Sequence, residues 1–163
     1  GNIDLAVAFY NPDVEVFSTD LSPDAVALTP PTISFLNLNP RVHAKQDDLF
    51  SAFETSEFFE NNDLIICNPP YISSAKVTKL NSEIIGHEPS LAFDGGMFGT
   101  KIIQRLIIEA LKYLTRNGWL LFEVGVGQGE FIMRLIEESN NYTQVNSVSD
   151  KQDNIRVIIA QKK

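Results

Sequence analysis

Cysteine is almost absent from this sequence: Cys67 is the single one among 163 residues, so no disulfide can form within the chain. Its position inside a short apolar run predicts a small core residue and not a nucleophile. A chain without a disulfide framework suits a reducing compartment. We therefore expect a cytoplasmic protein, with an organelle as the open alternative.

Histidine is nearly as rare, and no metal-binding pattern accompanies it. The two histidines, His43 and His87, lie far from each other and from Cys67 in the sequence. Zinc and similar metals are held by closely spaced groups of such residues. The sequence therefore predicts no metal site, and we expect both histidines on the surface or in structural roles.

Basic residues and long apolar runs are also lacking. Lys and Arg number 13 against 21 acidic residues, which gives a net charge of −8. Nucleic acid is bound through clustered basic side chains, so a broad nucleic-acid face is disfavoured and only a small basic patch is left open. No apolar run reaches the length that crosses a bilayer, so we expect no membrane partner.

Apolar residues nevertheless make up 44% of the chain, enough for a single domain, residues 1–163, with its own core. Strand-like and helix-like patterns alternate, and a short polar link joins the last two strands, which predicts an antiparallel pair. These patterns indicate an α/β fold with a mostly parallel sheet. The predicted strands are 14–19, 41–46, 63–67, 119–124, 142–148 and 154–160.

Helical periodicity is clearest over 101–114, and Asn117-Gly118 is expected to end that helix. Residues 1–10 and a weak stretch over 51–59 are also predicted to be helical. A helix that begins at Ser22 should be short, because Pro30 and Pro31 break it. The last helix follows Gly129, and its inward-facing residues are predicted to be Phe131, Ile132, Leu135 and Ile136. Residues 72–99 lack periodicity, which is typical of a functional cover or of a mobile segment.

The stretch Asp63–Ile72 carries the strongest functional signal. An apolar strand runs directly into Asn68-Pro69-Pro70-Tyr71, and the two prolines force the backbone out of the sheet. The Asn68 side chain and the Pro69 carbonyl can accept both hydrogens of a planar –NH2 group, and Tyr71 can lie against its plane. Ligands of open α/β sheets bind at the carboxyl ends of strands, so this corner is a candidate catalytic and substrate-binding site.

The order of motifs along the chain resembles one family of enzymes. The sequence runs from Gly1-Asn-Ile through Asp20-Leu-Ser-Pro, Asp48-Leu-Phe and the Asn68 corner to Glu88-Pro89 and Gly127-Gln-Gly-Glu. This series resembles the protein-(glutamine-N5) methyltransferases that modify peptide chain release factors. Asn-Pro-Pro-Tyr alone is shared with amino-methyltransferases of nucleic acids, whereas Glu88-Pro89 with a following Gly-Gly is more specific to the glutamine enzymes.

The resemblance implies a class I, Rossmann-like methyltransferase sheet, S-adenosylmethionine as methyl donor and a release factor as protein partner. It implies that Asn68, Pro69, Pro70 and Tyr71 cradle the glutamine amide, with Glu88 and Pro89 in the cover over the substrate. The donor-binding positions that it implies are Gly1, Asp20, Leu21, Asp48, Leu49 and Asn68. Arg156 matches a basic position of the family for which we expect a structural ion pair.

The sequence also departs from the family pattern. The family has a strand and a glycine-rich donor loop before the position of Gly1, and an amino-terminal helical domain before those. We therefore expect a truncated catalytic domain that lacks its first strand, and weak or no donor binding by this chain alone.

Two alternatives use other features. Gly125 to Gly129 follows a strand and opens a helix, and Asp150 ends the next strand, as in the donor site of a permuted nucleic-acid amino-methyltransferase acting on adenine N6 or cytosine N4. A non-catalytic methyltransferase-like fragment is the other alternative.

Overall fold

The computed structural model describes residues 2–38, 40–70 and 99–163. The expectations for Gly1, Tyr71, Glu88 and Pro89, and for the irregular stretch as far as residue 98, lie outside the described residues. The chain divides into two compact units, Gly1–Glu54 and Thr55–Lys163, which are taken in turn below. That residues 1–163 form a single domain stays a prediction.

The first unit is a two-stranded parallel sheet with two helices against it. Its elements are α1 (Asn2–Tyr10), β1 (Val16–Asp20), α2 (Pro23–Phe35), β2 (Val42–Gln46) and a 3-10 turn (Ser51–Phe53). The strands pair in register from Val16 opposite Val42 to Asp20 opposite Gln46. A small core holds the helices on the sheet and consists of Ala8, Ile33, Leu38 and Val42.

Helix α2 is longer than predicted. It continues through Pro30 and Pro31 to Phe35, so the expectation that the prolines break it is wrong. Both prolines are exposed, so their rings meet no packed neighbour and water can bond the two carbonyls that lose N–H partners. Beyond them Ile33 is buried, and this burial stabilises the second half of the helix.

The predicted weak helix over 51–59 is also wrong, because the 3-10 turn ends at Phe53 and turns follow. Phe53 is buried against the ring of Phe17, with the ring centroids 6.1 Å apart. One anchored aromatic ring holds this short turn on the sheet without a longer helix.

In the second unit, the described residues form a four-stranded sheet and two helices. Its elements are β3 (Asn62–Cys67), α3 (Lys101–Tyr113), β4 (Leu114–Glu123), α4 (Gly129–Ser139), β5 (Tyr142–Ser149) and β6 (Ile155–Lys162). The strand order is β3-β4-β6-β5. Strands β3 and β4 are parallel, whereas β6 is antiparallel to both of its neighbours. The α/β class and its antiparallel C-terminal pair are confirmed.

Strand β4 begins earlier than predicted. Helix α3 ends at Tyr113, and Asn117-Gly118 lies within β4 and does not end the helix. The register with β3 slips between Asn62 and Leu64, so residues 115–118 form a bulge in which Asn117 takes a positive φ of 64°. The pair that resembled a helix stop therefore supplies the left-handed backbone that a bulge needs.

Helix α4 buries a narrower face than predicted. Ile132 and Ile136 are fully buried and Leu135 is half-buried, but Phe131 is 54% exposed. Placing Phe131 inward was therefore wrong. Residues four positions apart lie on one side of a helix, so Ile132 and Ile136 form a single buried stripe. Phe131 precedes Ile132 by one position and is therefore rotated about 100° away from that stripe.

None of the described helices is both long enough and apolar enough to cross a membrane.

Candidate functional site

The Asn68 corner lies at the carboxyl edge of the second unit's sheet. Strand β3 ends at Cys67, which pairs with Phe122 in the neighbouring parallel strand β4. Asn68 follows with an exposed side chain, Pro69 is buried and Pro70 is half-buried. Buried Pro69 anchors the corner while the Asn68 carboxamide faces outward, which is the arrangement that binding an amide from solution requires. Tyr71, the fourth predicted member, lies outside the described residues.

The Cys67 thiol, beside this corner, is a poor nucleophile near neutral pH. Burial raises the pKa of the Cys67 thiol to about 12, because the low-dielectric surroundings disfavour the thiolate. The thiolate is the nucleophilic form, so Cys67 stays a neutral thiol near neutral pH. This agrees with the prediction that Cys67 is not a nucleophile, but its side chain is half-buried and does not belong to the fully buried core.

The turn after β4 is closed by its own glutamine. Gly125 donates its N–H to Gln128 Oε1 at 2.8 Å, and Gln128 Nε2 donates to the Gly99 carbonyl at 3.2 Å. Gly127 has a φ of 83°, which an L side chain rarely adopts, so glycine is required there. The Gly125 N–H, which an anion-binding loop would offer to a ligand, is therefore already bonded to the Gln128 side chain.

Arg156 holds the carboxyl end of β4. Its guanidinium donates to Glu123 Oε1 at 2.6 Å and to the Val124 carbonyl at 3.2 Å. The two side chains of the ion pair are about one-third exposed, at 31% and 32%. The expected structural ion pair of Arg156 is present, and it keeps the strand next to the Asn68 corner in place.

The acidic positions of the first unit also meet at a carboxyl edge. Asp20 ends β1, and its carbonyl accepts the Asp47 N–H at 3.1 Å, just beyond the end of β2. The Thr19 hydroxyl donates to the Leu49 carbonyl at 2.6 Å. Leu49 takes a positive φ of 49°. The structure thus brings the residues around Asp20 and Leu49, two predicted donor-binding positions, together at the ends of β1 and β2.

The side chains at this edge suit a nucleoside. Asp20 Oδ1 accepts the Ser22 N–H at 2.8 Å, and Ser22 caps α2. This bond fixes the carboxylate at the strand end, where it can accept hydroxyl donors as well. Leu21 is 47% exposed and Leu49 half-exposed, so apolar surface adjoins the carboxylate. Asp48, half-exposed, follows Asp47, whose carboxylate accepts the Asp48 N–H at 2.8 Å.

The alternative donor site at Gly125 and Asp150 has a poor geometry. Strand β6 lies between β4 and β5, so the two positions end strands that are not neighbours. Asp150 Oδ1 accepts the N–H groups of Gln152 and Asn154, at 2.9 and 3.0 Å. Although desolvation opposes it, these hydrogen bonds, with Arg156 nearby, lower the pKa of Asp150. Asp150 therefore acts as the acceptor that shapes its own turn.

Glycine at position 129 also has a packing reason. A Cβ there would lie 2.4 Å from the Ile155 Cβ, so any side chain would clash with β6. Close packing of α4 against the sheet explains this glycine without a ligand.

Sequence reasoning missed two residues of these edges, Thr19 and Gln128. Each makes a hydrogen bond to a backbone group that lies about thirty residues away, at Leu49 and Gly99 respectively. Gln128 had a signal, since an amide side chain between two glycines after a strand can close its own turn. Thr19 had none, because its partner is defined only by the pairing of β1 with β2.

Within the described ranges, no three His, Cys, Asp or Glu residues come together as a candidate metal site.

These features define an α/β protein with polar groups at the carboxyl edges of its parallel strands. The chain belongs to the methyltransferase small domain family, whose model matches residues 1–99.

Curated relatives place this family membership more narrowly. The chain is 31% identical over 159 residues to the release factor glutamine methyltransferase of Gloeobacter violaceus, covering 98% of this chain and 54% of that protein. It is 36% identical over 128 residues to the ribosomal protein uL3 glutamine methyltransferase of Francisella tularensis, covering 78% and 39%. The resemblance to glutamine methyltransferases is confirmed. The chain spans about half the length of the first of these relatives.

Solved structures support the fold. A ribosomal protein L11 methylase from Lactobacillus delbrueckii subsp. bulgaricus matches with a TM-score of 0.65 at 16% identity, over 100% of this chain and 66% of that one. The N-terminal domain of human METTL16 in complex with SAH matches with a TM-score of 0.64 at 15% identity, over 97% and 55%. At such identities the likeness concerns the fold alone.

Proposed function

We propose that the protein transfers a methyl group from S-adenosylmethionine to the side-chain amide nitrogen of a glutamine in a peptide chain release factor. The observation that carries this proposal is the Asn68-Pro69-Pro70 corner, which leaves β3 beside β4 with an exposed carboxamide and a buried proline. Relatives named as glutamine methyltransferases supply the substrate class.

The donor would be held by the carboxyl edge of the first unit. Asp20, Leu21, Asp48 and Leu49 offer a carboxylate for ribose hydroxyls and apolar surface for the adenine, and these residues fit a nucleoside. Gly1 stays a predicted donor position outside the described residues. When bound, S-adenosylmethionine supplies a methyl group activated by its positive sulfur.

The chain's own contribution is positioning. Asn68 Oδ1 and the Pro69 carbonyl accept the two hydrogens of the glutamine –NH2 and so point its nitrogen lone pair in one direction. Orientation of this kind contributes several kcal/mol to lowering a barrier, on the order of 7–11 for ideal geometry. Tyr71 is proposed to hold the amide plane, with Glu88 and Pro89 beside the substrate. No general base is required, because the methylated amide nitrogen loses its proton readily.

Ribosomal protein uL3 is a second candidate substrate. The uL3 enzyme of Francisella tularensis shares 36% of the aligned residues with this chain, against 31% for the release factor enzyme of Gloeobacter violaceus. Both candidates are proteins of translation and both reactions end in methylated glutamine, so the same corner serves either one.

The test uses the full-length protein with a labelled methyl donor. Recombinant release factor and uL3 are offered separately, each as wild type and with the acceptor glutamine changed to asparagine. We expect label on the release factor glutamine, located by mass spectrometry. Label on uL3 alone would select the second candidate, and label only on adenine or cytosine of added nucleic acid would contradict the proposal. No transfer to any of them would favour a non-catalytic protein.

A further inference from the structure

The turn after β4 lies directly beside the Asn68 corner. Cys67 and Phe122 pair across parallel strands, so the residues that follow them, Asn68 and Glu123, begin from adjacent positions at the same edge of the sheet. Val124 is still held by β6, since its N–H donates to the Arg156 carbonyl at 2.9 Å. Neighbouring strands are about 4.8 Å apart, which is within reach of one side chain. Both Pro69 and Val124 are buried. Residues 124–128, which follow β4 at this edge, are called here the wall beside the corner.

Gln128 ties this wall to the start of helix α3. Its carboxamide accepts from Gly125 N–H on one side and donates to the Gly99 carbonyl on the other. A carboxamide is planar, so the two bonds fix the Gly125 turn and Gly99 at a set separation.

The partner of this link is itself firmly placed. Gly99 is buried and has a φ of 71°. The next residue, Thr100, is 7% exposed and accepts from Gln104 at both its carbonyl and its hydroxyl, at 2.9 and 3.1 Å. These bonds hold the helix start in place, and Gln128 links the turn beside the corner to it.

We infer that Gln128 is a positioning residue, which holds the wall beside the Asn68 corner in the place where an incoming protein acceptor docks. This inference rests on the proposed function. Gln128 acts through Gly125 and Gly99, whereas Asn68 would contact the reacting amide itself. A looser wall weakens acceptor binding in the ground state and the transition state alike, which raises KM and leaves kcat nearly unchanged.

Two variants distinguish the two hydrogen bonds of the Gln128 side chain, the one to Gly125 and the one to Gly99. Gln128→Ala removes both hydrogen bonds. Gln128→Glu keeps an oxygen that accepts from Gly125 N–H but places a carboxylate against the Gly99 carbonyl, where nothing can be donated. The matched control is Gln144→Ala, which removes an exposed hydrogen bond from Gln144 on β5 to Gln161 on β6.

The experiment measures KM and kcat for the release factor, the donor Kd and amide exchange at Gly125 in the full-length protein. We expect both Gln128 variants to raise the acceptor KM about tenfold, while kcat, donor Kd and melting temperature stay close to the wild-type values. Exchange at Gly125 should accelerate in Gln128→Ala and stay slow in Gln128→Glu. Gln144→Ala should match the wild type throughout.

Other outcomes overturn the inference. An unchanged acceptor KM in both variants excludes positioning by Gln128. A parallel fall in kcat and melting temperature with constant KM shows a structural role only. If the wild-type protein methylates no glutamine, the proposed function itself is contradicted. The wild-type assay shows this before any variant is compared.

Discussion

The Thr19 hydroxyl donates a 2.6 Å hydrogen bond to the carbonyl of Leu49, a residue with a positive φ of 49°. This bond fixes the turn after β2 against the end of β1. A leucine in the left-handed region costs roughly 1 kcal/mol or more, so the surroundings must hold it there. Thr19 supplies one of the contacts that do so.

Thr19→Val keeps the shape of the side chain and removes the donated hydrogen bond. We expect donor affinity to fall about fivefold, because the Leu49 turn relaxes, and stability to fall by about 1 kcal/mol. Calorimetric titration of the full-length protein with S-adenosylmethionine measures the first effect. Thr32→Val, which removes a bond from a half-exposed threonine of α2 to the Leu28 carbonyl, serves as control. Equal donor affinity in both variants would contradict a role for the Leu49 turn.

Asp20→Asn separates charge from helix capping. The asparagine oxygen still accepts the Ser22 N–H, so the start of α2 should persist. Loss of the carboxylate should weaken donor binding about tenfold or more, since hydrogen bonds to a charged group contribute about 1.5–3 kcal/mol. Ser22→Ala is the complementary variant: it should lower stability by about 1 kcal/mol and leave the donor Kd unchanged. A donor Kd in Asp20→Asn equal to that of the wild type would remove Asp20 from the donor site.

Asn68→Ala should abolish methylation of the protein acceptor. The carboxamide that orients the acceptor nitrogen is lost, while donor affinity should stay within a few-fold of the wild type. Single-turnover transfer from a labelled donor measures the first quantity and calorimetry the second. Asn146→Ala, which changes an exposed asparagine of β5, is the control. Retained turnover in Asn68→Ala would exclude this side chain from the mechanism.

Cys67 should react slowly with thiol reagents. Burial raises its pKa from 9.0 to about 12, so at pH 8 the thiolate fraction falls about a thousandfold relative to an ordinary cysteine. Labelling should accelerate with rising pH and on unfolding in denaturant. The unfolded thiol ionises first as pH rises above 9, so this group lowers folding stability only at alkaline pH. Rapid labelling of the folded protein at pH 8 would refute a protected thiol.

Local sequence patterns predicted the type of several elements, although β3, predicted to be buried, has no fully buried residue. Strand β3, helix α3 and the antiparallel β5–β6 pair follow from local runs of apolar residues and short links. Predictions that rested on one or two proline or glycine residues, taken as the end of a helix, were less accurate. Pro30 and Pro31 resembled a helix stop, yet they lie on an exposed face where helix geometry is tolerated.

The candidate site was predicted only in part, for a similar reason. The Asn68 corner is contiguous in the sequence, so its polar groups and prolines could be identified together. The Thr19–Leu49 and Gln128–Gly99 bonds join residues about thirty positions apart. Such pairs depend on strand register, which no local pattern reports.

The place of β6 in the sheet has a consequence for biosynthesis. Strand β4 borders the Asn68 corner, yet one of its two neighbours is β6, which comes later in the chain and whose Arg156 secures Glu123 and the Val124 carbonyl. While the nascent chain is still emerging from the ribosome, that neighbour has not yet been made. The sheet around β4 is therefore complete only after β6 has emerged and inserted between β4 and β5.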